Sequence, residues 1–389
     1  MSISDKGYLR LLNIHYIFHF FAYSIIDLFG PIYLYKHGIP LPFVFFYVSA
    51  FCSARLVLRI YVLKLCSRFG TRKLFLSGIV SAAIVYPMYQ NVQGLNFWLL
   101  AILIVNSYAS TSYWTIYHAY FASAGTSVNR GKEVAVREGI NQFVKFVSPI
   151  CTGFLFEHVG AASAFWLGCL SAILSLFPVL KFPDLTFDTE PSAKVIWRNV
   201  DKTGFRVSVA GSMQHYGHVF AWNLIIFLTV DNYVGFGSLL GLAVLFQIVG
   251  FYVVGHYFDR GKSYLTSQLA SLLFLLAIIL RTQYGYDYVT ILCFDVVYTI
   301  GAVLLLPVYA SICYNAAQKS GDVVSFQYLS ESGWDVGTVL STLIGGLLLL
   351  HGVNIRNIPF LGIVGIVLLL YVIHRYHPEN FNSKKLKTI

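Results

Sequence analysis

Charge is what this chain has least of. Only 11% of its 389 residues are Asp, Glu, Lys or Arg, against about 25% in a soluble protein. That scarcity argues against a water-soluble globular domain and fits a bilayer, where a charge placed in hydrocarbon costs several kcal/mol. Cysteine is scarce too. The six cysteines are scattered through apolar stretches without CxxC spacing, which argues against a disulfide framework or zinc site and leaves buried thiols. No Gly-x-x-x-x-Gly-Lys-Ser/Thr loop occurs, and no soluble domain is present to house one, so nothing points to an ATP-driven pump. His-Glu-x-x-His is missing, as is a nucleophile with its base, so the chain does not read as a membrane enzyme. No cofactor and no metal site are expected. No cleavable signal peptide is expected, because the first apolar run is too long and has no small-residue cleavage site.

What fills the chain is apolar: 57% hydrophobic residues and a mean hydropathy of +0.68. A helix crosses a bilayer with about 20 apolar residues. Twelve such runs are present, at roughly 11–35, 40–65, 73–91, 96–122, 138–157, 160–180, 205–230, 236–257, 264–282, 287–314, 329–350 and 356–375. The longest polar stretch, 182–204, separates them six and six. The expected architecture is an all-α polytopic membrane protein. Its N-terminal six-helix bundle covers 1–181, a cytoplasmic linker 182–204, and a C-terminal six-helix bundle with a short cytoplasmic tail 205–389. The net charge of +10 does not call for nucleic acid, since the basic residues sit in short gaps between apolar runs. With alternate gaps assigned to opposite sides, 21 of the 27 basic residues fall beside the termini. Three (Lys36, Arg281 and Arg356) fall opposite, and Arg55, Arg59 and Lys145 lie within spans. That bias places both termini in the cytoplasm. Short loops and tails fit a bacterial inner membrane, and the expected state is a monomer.

The second half echoes the first. His15-Tyr16-Ile17-Phe18-His19 opens span 1, and His215-Tyr216-Gly217-His218 opens span 7 with one residue fewer between the histidines. The loop after span 2 carries Arg68, Gly70 and Arg72; the loop after span 8 carries Gly255, Asp259 and Arg260. Glu138 to Gly153 in span 5 matches Glu331 to Gly346 in span 11 at a constant offset of 193. Three echoes in one order imply two related six-helix halves, an architecture that places substrate near the midplane between repeats. On these features the chain resembles the major facilitator superfamily. That family's loop motif, Gly-x-x-x-Asp-Arg-x-Gly-Arg-Lys, is kept in part by Gly255, Asp259 and Arg260, while the first copy has Leu63 and Ser67 where the family has glycine and aspartate. Ser148-Pro149-Ile150-Cys151-Thr152-Gly153 is similar to the family's exporter motif, and span 4 lacks the arginine of many proton-coupled members. The resemblance implies a secondary-active transporter of a small molecule, coupled to a proton or cation, with a lean to export. It also implies a central cavity lined by spans 1, 4, 7 and 10, and gates at the two loops.

Polar residues inside spans are functional candidates by default. The substrate or proton-pathway candidates are His15, His19, Tyr23 and Asp27 in span 1, Trp114 and His118 in span 4, His215, His218 and Trp222 in span 7, Asp295 in span 10, and Glu331 and Asp335 in span 11. The spacings i, i+4 for His15 and His19 and i, i+3 for His215 and His218 predict one shared face in each half. The histidines can bind substrate or a titrating proton, a transition metal or its chelate, or only neighbouring helices. Arg55 and Arg59, one turn apart in span 2, need anionic partners. Asp27 is the expected one, and an anionic substrate is the alternative. Lys145 is expected to answer Glu331 or Asp335 across the interface. The rival to transport is a sensor or scaffold that kept the fold and lost the activity.

Overall fold

The computed structural model describes residues 5–123, 130–185, 192–258, 263–320 and 323–376. All of its regular structure is helical. The first half forms α1 (Asp5–Lys36), α2 (Leu41–Phe69), α3 (Thr71–Tyr89), α4 (Phe97–Ser123), α5 (Arg130–His158) and α6 (Ala161–Val179). A short helix α7 (Ala193–Asn199) follows, within the stretch read as linker. The seventh pass starts as α8 (Thr203–Gln214), widens into a π-turn at His215–Val219 and continues as α9 (Phe220–Val230). Then come α10 (Tyr233–Phe258), α11 (Ser263–Tyr284), α12 (Tyr288–Lys319), α13 (Val323–Leu350), a 3₁₀ turn (Ile355–Phe360) and α14 (Leu361–Tyr376). Helices suit these apolar runs because lipid offers no partners to backbone N–H and C=O groups. Among the described residues nine passes are long and apolar enough to cross a membrane. The other three are α3, which opens on Arg72 and Lys73, α5, which carries internal charges, and the π-interrupted α8–α9.

Helix α1 lies against α5 and α6, α3 against α4 and α6, and α2 against α4. In the second half α8 lies against α13 and α14, α11 against α12, and α10 against α12. Two seams join these sets: α2 runs along α13, and α5 along α10. Small residues make the second seam tight. A Cβ on Gly237 would run into the Pro149 carbonyl, and one on Gly153 into the Tyr233 carbonyl. Along the first seam Gly345 and Gly346 lie beneath the rings of Phe45 and Phe46. Close backbone approach of this kind is how helices associate where lipid is as apolar as the side chains. Gly237→Val should therefore cost about 1–3 kcal/mol as an overpacked contact. A thermal melt of the purified variant checks this, and an unchanged melting temperature would show that the seam is loose.

Twelve passes put the start of α1 and the end of α14 on one face, termed here the terminal face. There Leu63 of α2, Ile196 of α7, and Tyr328 and Leu329 of α13 form one buried cluster. On the far face Lys36 meets Asp231 at 2.9 Å, and the Tyr233 N–H donates to Glu157 at 2.8 Å. Asp287 caps α12 there, accepting from the Val289 and Thr290 N–H groups at 3.0 Å each. The Thr290 backbone N–H, then its hydroxyl, holds the Asp287 carboxyl below the usual carboxylate range. A depressed pKa gives stability that is present above the ordinary value and lost as pH falls through the folded one. Acidification into that range should lower the protection of the amides at residues 288–291, read as the observed against the intrinsic exchange rate at the same pH, in the parent and not in Asp287→Ala, whose cap is already open.

Candidate functional site

A cavity opens among α1–α4, on the far-face side of the midplane. Helix α1 contributes His19, Tyr23 and Asp27, spaced four apart and so on one stripe. Helix α4 presents Asn106, Ser110 and Trp114 at the same spacing. Tyr47 and Phe51 of α2 and Tyr86 and Tyr89 of α3 add aromatic wall, and Tyr216 and Phe220 close it from the second half. The Tyr23 hydroxyl donates to Asp27 at 3.0 Å, and the His19 ring stacks on Tyr113 with centroids 3.5 Å apart. Spans 1, 4 and 7 thus line the cavity as the resemblance implied. Spans 2 and 3 join them, and span 10 has no described residue in the wall.

Below the cavity, toward the terminal face, α2 and α13 each bring two charges one turn apart. Arg55 meets Glu331 at 3.2 Å and, through Nε, Asp335 at 3.2 Å. Arg59 pairs with Asp335, stands 3.8 Å from Glu331 and donates to the Thr115 hydroxyl at 3.0 Å. His118 Nε2 lies 3.5 Å from Glu331. Arg59 and Asp335 are fully buried. The expected partner Asp27 is not used: α2 runs along α13, so its arginine stripe meets the α13 carboxylates, while Asp27 faces the cavity. Lys145 does not answer Glu331 or Asp335 either, because Arg55 and Arg59 already hold them. Its strongest electrostatic neighbours are Glu138 and Asp27.

A second polar network sits wholly inside the second half. Arg281 bonds Asp295 at 2.7 Å and His218 Nε2 at 2.5 Å, and lies over the Tyr298 ring at 4.2 Å. The Trp222 indole N–H donates to Asp295 at 2.8 Å. A guanidinium only donates, so His218 Nε2 accepts and the ring is neutral with its proton on Nδ1. Arg281 is the residue that sequence reasoning missed. It was assigned to a far-face loop, but α11 continues to Tyr284 and leaves Arg281 3% exposed inside the bundle. The signal available was Asp295, a buried acid in want of a base.

The histidines separate. His15 is buried between helices: its Nδ1 donates to the Ser175 carbonyl at 2.8 Å and its Nε2 faces the Tyr113 hydroxyl at 3.2 Å. Of the first pair only His19 reaches the cavity. His215 turns to Trp334, with centroids 5.9 Å apart, and His218 turns into the Arg281 network. The expected common face of His215 and His218 is therefore corrected. They lie in the π-turn, whose wider i→i+5 winding separates residues that i, i+3 spacing would align in an α-helix. Among the described residues no group of three or more His, Cys, Asp or Glu side chains is placed to hold a metal ion.

Two sets of helices joined by two seams around a cavity and a cross-seam ion cluster are the frame for comparison with known proteins. A family model described as Major Facilitator Superfamily matches residues 12–332. The chain belongs to the Major Facilitator Superfamily. No curated protein matches. Among solved structures, a POT family transporter in complex with 5-aminolevulinic acid is similar at a TM-score of 0.72 and 13% identity, over 95% of this chain and 96% of that one. A POT peptide transporter gives 0.69 and 12%, over 94% and 93%. The human organic anion transporter TETRAN gives 0.66 and 13%, over 96% and 100%. At these identities the likeness is one of fold. Membership of a transporter family and membrane-spanning helices make this an integral membrane protein of the transport class.

In this superfamily chain the first loop copy lacks the motif aspartate, and Asp184 takes its place from beyond α6. The Asp184 carboxylate accepts from the Arg72 backbone N–H at 2.9 Å, at the N-terminus of α3 where the helix dipole favours an anion. A Cβ on Gly70, where φ is +88°, would meet that carboxylate at 2.6 Å. The Arg72 side chain reaches the Phe182 carbonyl at 3.3 Å, and Arg68 lies over Phe69. These contacts tie the loop to the end of its own half. Gly255 lies in α10, and Asp259 and Arg260 lie outside the described residues.

Proposed function

We propose that this Major Facilitator Superfamily protein is a secondary-active transporter. It moves a small solute by alternating access, with the Arg55/Arg59–Glu331/Asp335 cluster as the gate on the terminal face. The observation that carries the reading is the cluster's position. Two arginines of one half are neutralised by two carboxylates of the other, at the end of the cavity where a pathway to the terminal face would run. Opening that end separates the partners; closing it restores them, which gives two discrete states for a solute to bias. Coupling to a proton or cation belongs to the proposal, with Asp27, which holds one hydrogen bond and faces the cavity, as the exchanging group. The Ser148–Gly153 segment supports export, and the basic bias supports cytoplasmic termini in a bacterial cell membrane.

Spin labels at Lys64→Cys, near the end of α2, and Lys202→Cys, at the N-cap of α8, both at the terminal face, test the motion. The background replaces the exposed Cys151 and Cys293 by serine. Two distance populations that shift with pH or solute are expected. One fixed distance under all conditions would instead favour a scaffold.

A further inference from the structure

Among the described residues of the cavity wall, Asp27 is the only Asp, Glu, Lys or Arg. Its side chain keeps open surface well inside α1 and accepts one hydrogen bond, from Tyr23 at 3.0 Å. It forms no ion pair: Lys145 of α5, whose charge acts on it, stands outside the wall. Other polar groups of the same wall are idle too. His19 is 5% exposed and its Nδ1 has no partner. The Asn106 amide and the Ser110 hydroxyl make no hydrogen bond among the described residues. Enclosed polar groups without partners cost free energy. A largely apolar cavity holding a few of them, one of them a carboxylate, has the make-up of a ligand site.

Aromatic rings supply much of the remaining wall. The Tyr23 ring, whose hydroxyl holds Asp27, stands edge-on to Trp114 with centroids 5.6 Å apart, and Trp114 stands edge-on to Tyr113 at 4.9 Å. Phe51, Tyr86 and Phe220 face the same space. This chemistry selects among solutes by charge. An anion would be repelled by Asp27, and a neutral solute would leave the carboxylate unpaired. A metal ion wants several ligands of its own, and no group of three or more His, Cys, Asp or Glu among the described residues supplies them. An ammonium pairs with the carboxylate and gains cation–π attraction from Trp114 and Tyr23 as well.

We infer that the cavity binds an organic monocation with an aromatic body, its ammonium on Asp27 and its ring among Tyr23, Phe51 and Trp114. Asn106 and Ser110 are free to bond polar substituents on that body. The inference rests on the proposed transport role and names its substrate class. It uses no feature of the gate cluster, whose charges cancel.

The test is binding to the purified full chain in nanodiscs, with four organic probes. Phenethylamine carries the charge and the ring. 2-Phenylethanol keeps the ring without charge, 3-phenylpropionate reverses the charge, and butylamine keeps the charge without the ring. Phenethylamine should bind about tenfold or more tightly than each of the other three, the scale of one lost charge-assisted bond. Asp27→Asn should lower phenethylamine affinity by about the same factor and spare 2-phenylethanol, whose binding also shows that the variant is folded. Trp114→Leu should weaken phenethylamine and spare butylamine. Sodium chloride titrated alone, in a buffer of potassium salts, covers an inorganic cation on the same carboxylate. Another probe matching phenethylamine, or Asp27→Asn leaving its affinity unchanged, overturns the inference. So does failure of phenethylamine to bind, with or without Asp27-dependent sodium binding. The spin-label distances read alternating access without any of these probes. A chain that moves but shows no preference for the aromatic amine loses the substrate class alone.

Discussion

Asp335→Asn should leave the terminal face open and lower transport by tenfold or more, and no other single change at the gate should move that face as far. Asp335 is fully buried and touches both arginines, so its loss strands two guanidinium groups with Glu331 and Thr115 as their remaining partners. Breaking a buried pair by removing one partner costs about 3–5 kcal/mol. That cost falls on the closed state only, because opening the seam exposes the arginines to water. Turning a two-state equilibrium from 99:1 to 1:99 takes about 5.5 kcal/mol, so the loss is large enough to invert a modest preference for closure. The Lys64–Lys202 label distance should shift to its long population, and counterflow in proteoliposomes should fall with it. Arg59→Asp combined with Asp335→Arg restores opposite charges across the same seam, and it should recover closure that Arg59→Asp alone loses. If Asp335→Asn keeps the parent distance distribution, the cluster is structural and the gate lies elsewhere.

The fold was legible because its signals are long. Twelve apolar runs, a charged interval between halves and three ordered echoes each extend over many residues, and membrane solvent leaves the backbone little choice. Partners were less legible. Arg55, Arg59, Glu331 and Asp335 all announce themselves as charges in apolar runs with helical spacing, but 276 residues separate each arginine from its carboxylate. Which helix faces which is a property of the assembled bundle, and Asp27 was the nearer acid in sequence only. The π-turn at His215–Val219 is another case. One residue fewer between two histidines looks like a small variation of spacing, yet the wider turn sends His215 to the bundle interface and His218 into its own half. Arg281 was hidden for a third reason. A basic residue three from the end of a span reads as a loop charge, and only the continuation of α11 past it turns it inward. Asp184 could not have been found from the loop motif, because it replaces a missing residue from more than 100 positions away.

Arg281→Ala should be the most destabilising single substitution in the second half. The guanidinium satisfies Asp295, accepts no bond itself, donates to His218 and lies against the faces of Trp222 and Tyr298. Without it Asp295 keeps, among the described residues, the Trp222 indole N–H alone, and His218 Nε2 loses its donor in a site with no exposed surface. The expected loss is about 3–5 kcal/mol, that of a buried charge left uncompensated. Replacing both charges is a different matter. Arg281→Met with Asp295→Leu removes the desolvation cost of the pair along with its attraction, and such exchanges are often neutral or stabilising. Thermal melting should therefore rank Arg281→Ala and Asp295→Leu far below the parent and the double variant near it. A single variant that melts like the parent would mean that the pair is hydrated and contributes little. The double variant also separates stability from transport. If it melts normally and still carries solute, the network of Arg281, Asp295, His218 and Trp222 serves to hold α9, α11 and α12 in register. If it melts normally and carries nothing, Asp295 belongs to the pathway, and the coupling proton passes through the second half as well as past Asp27.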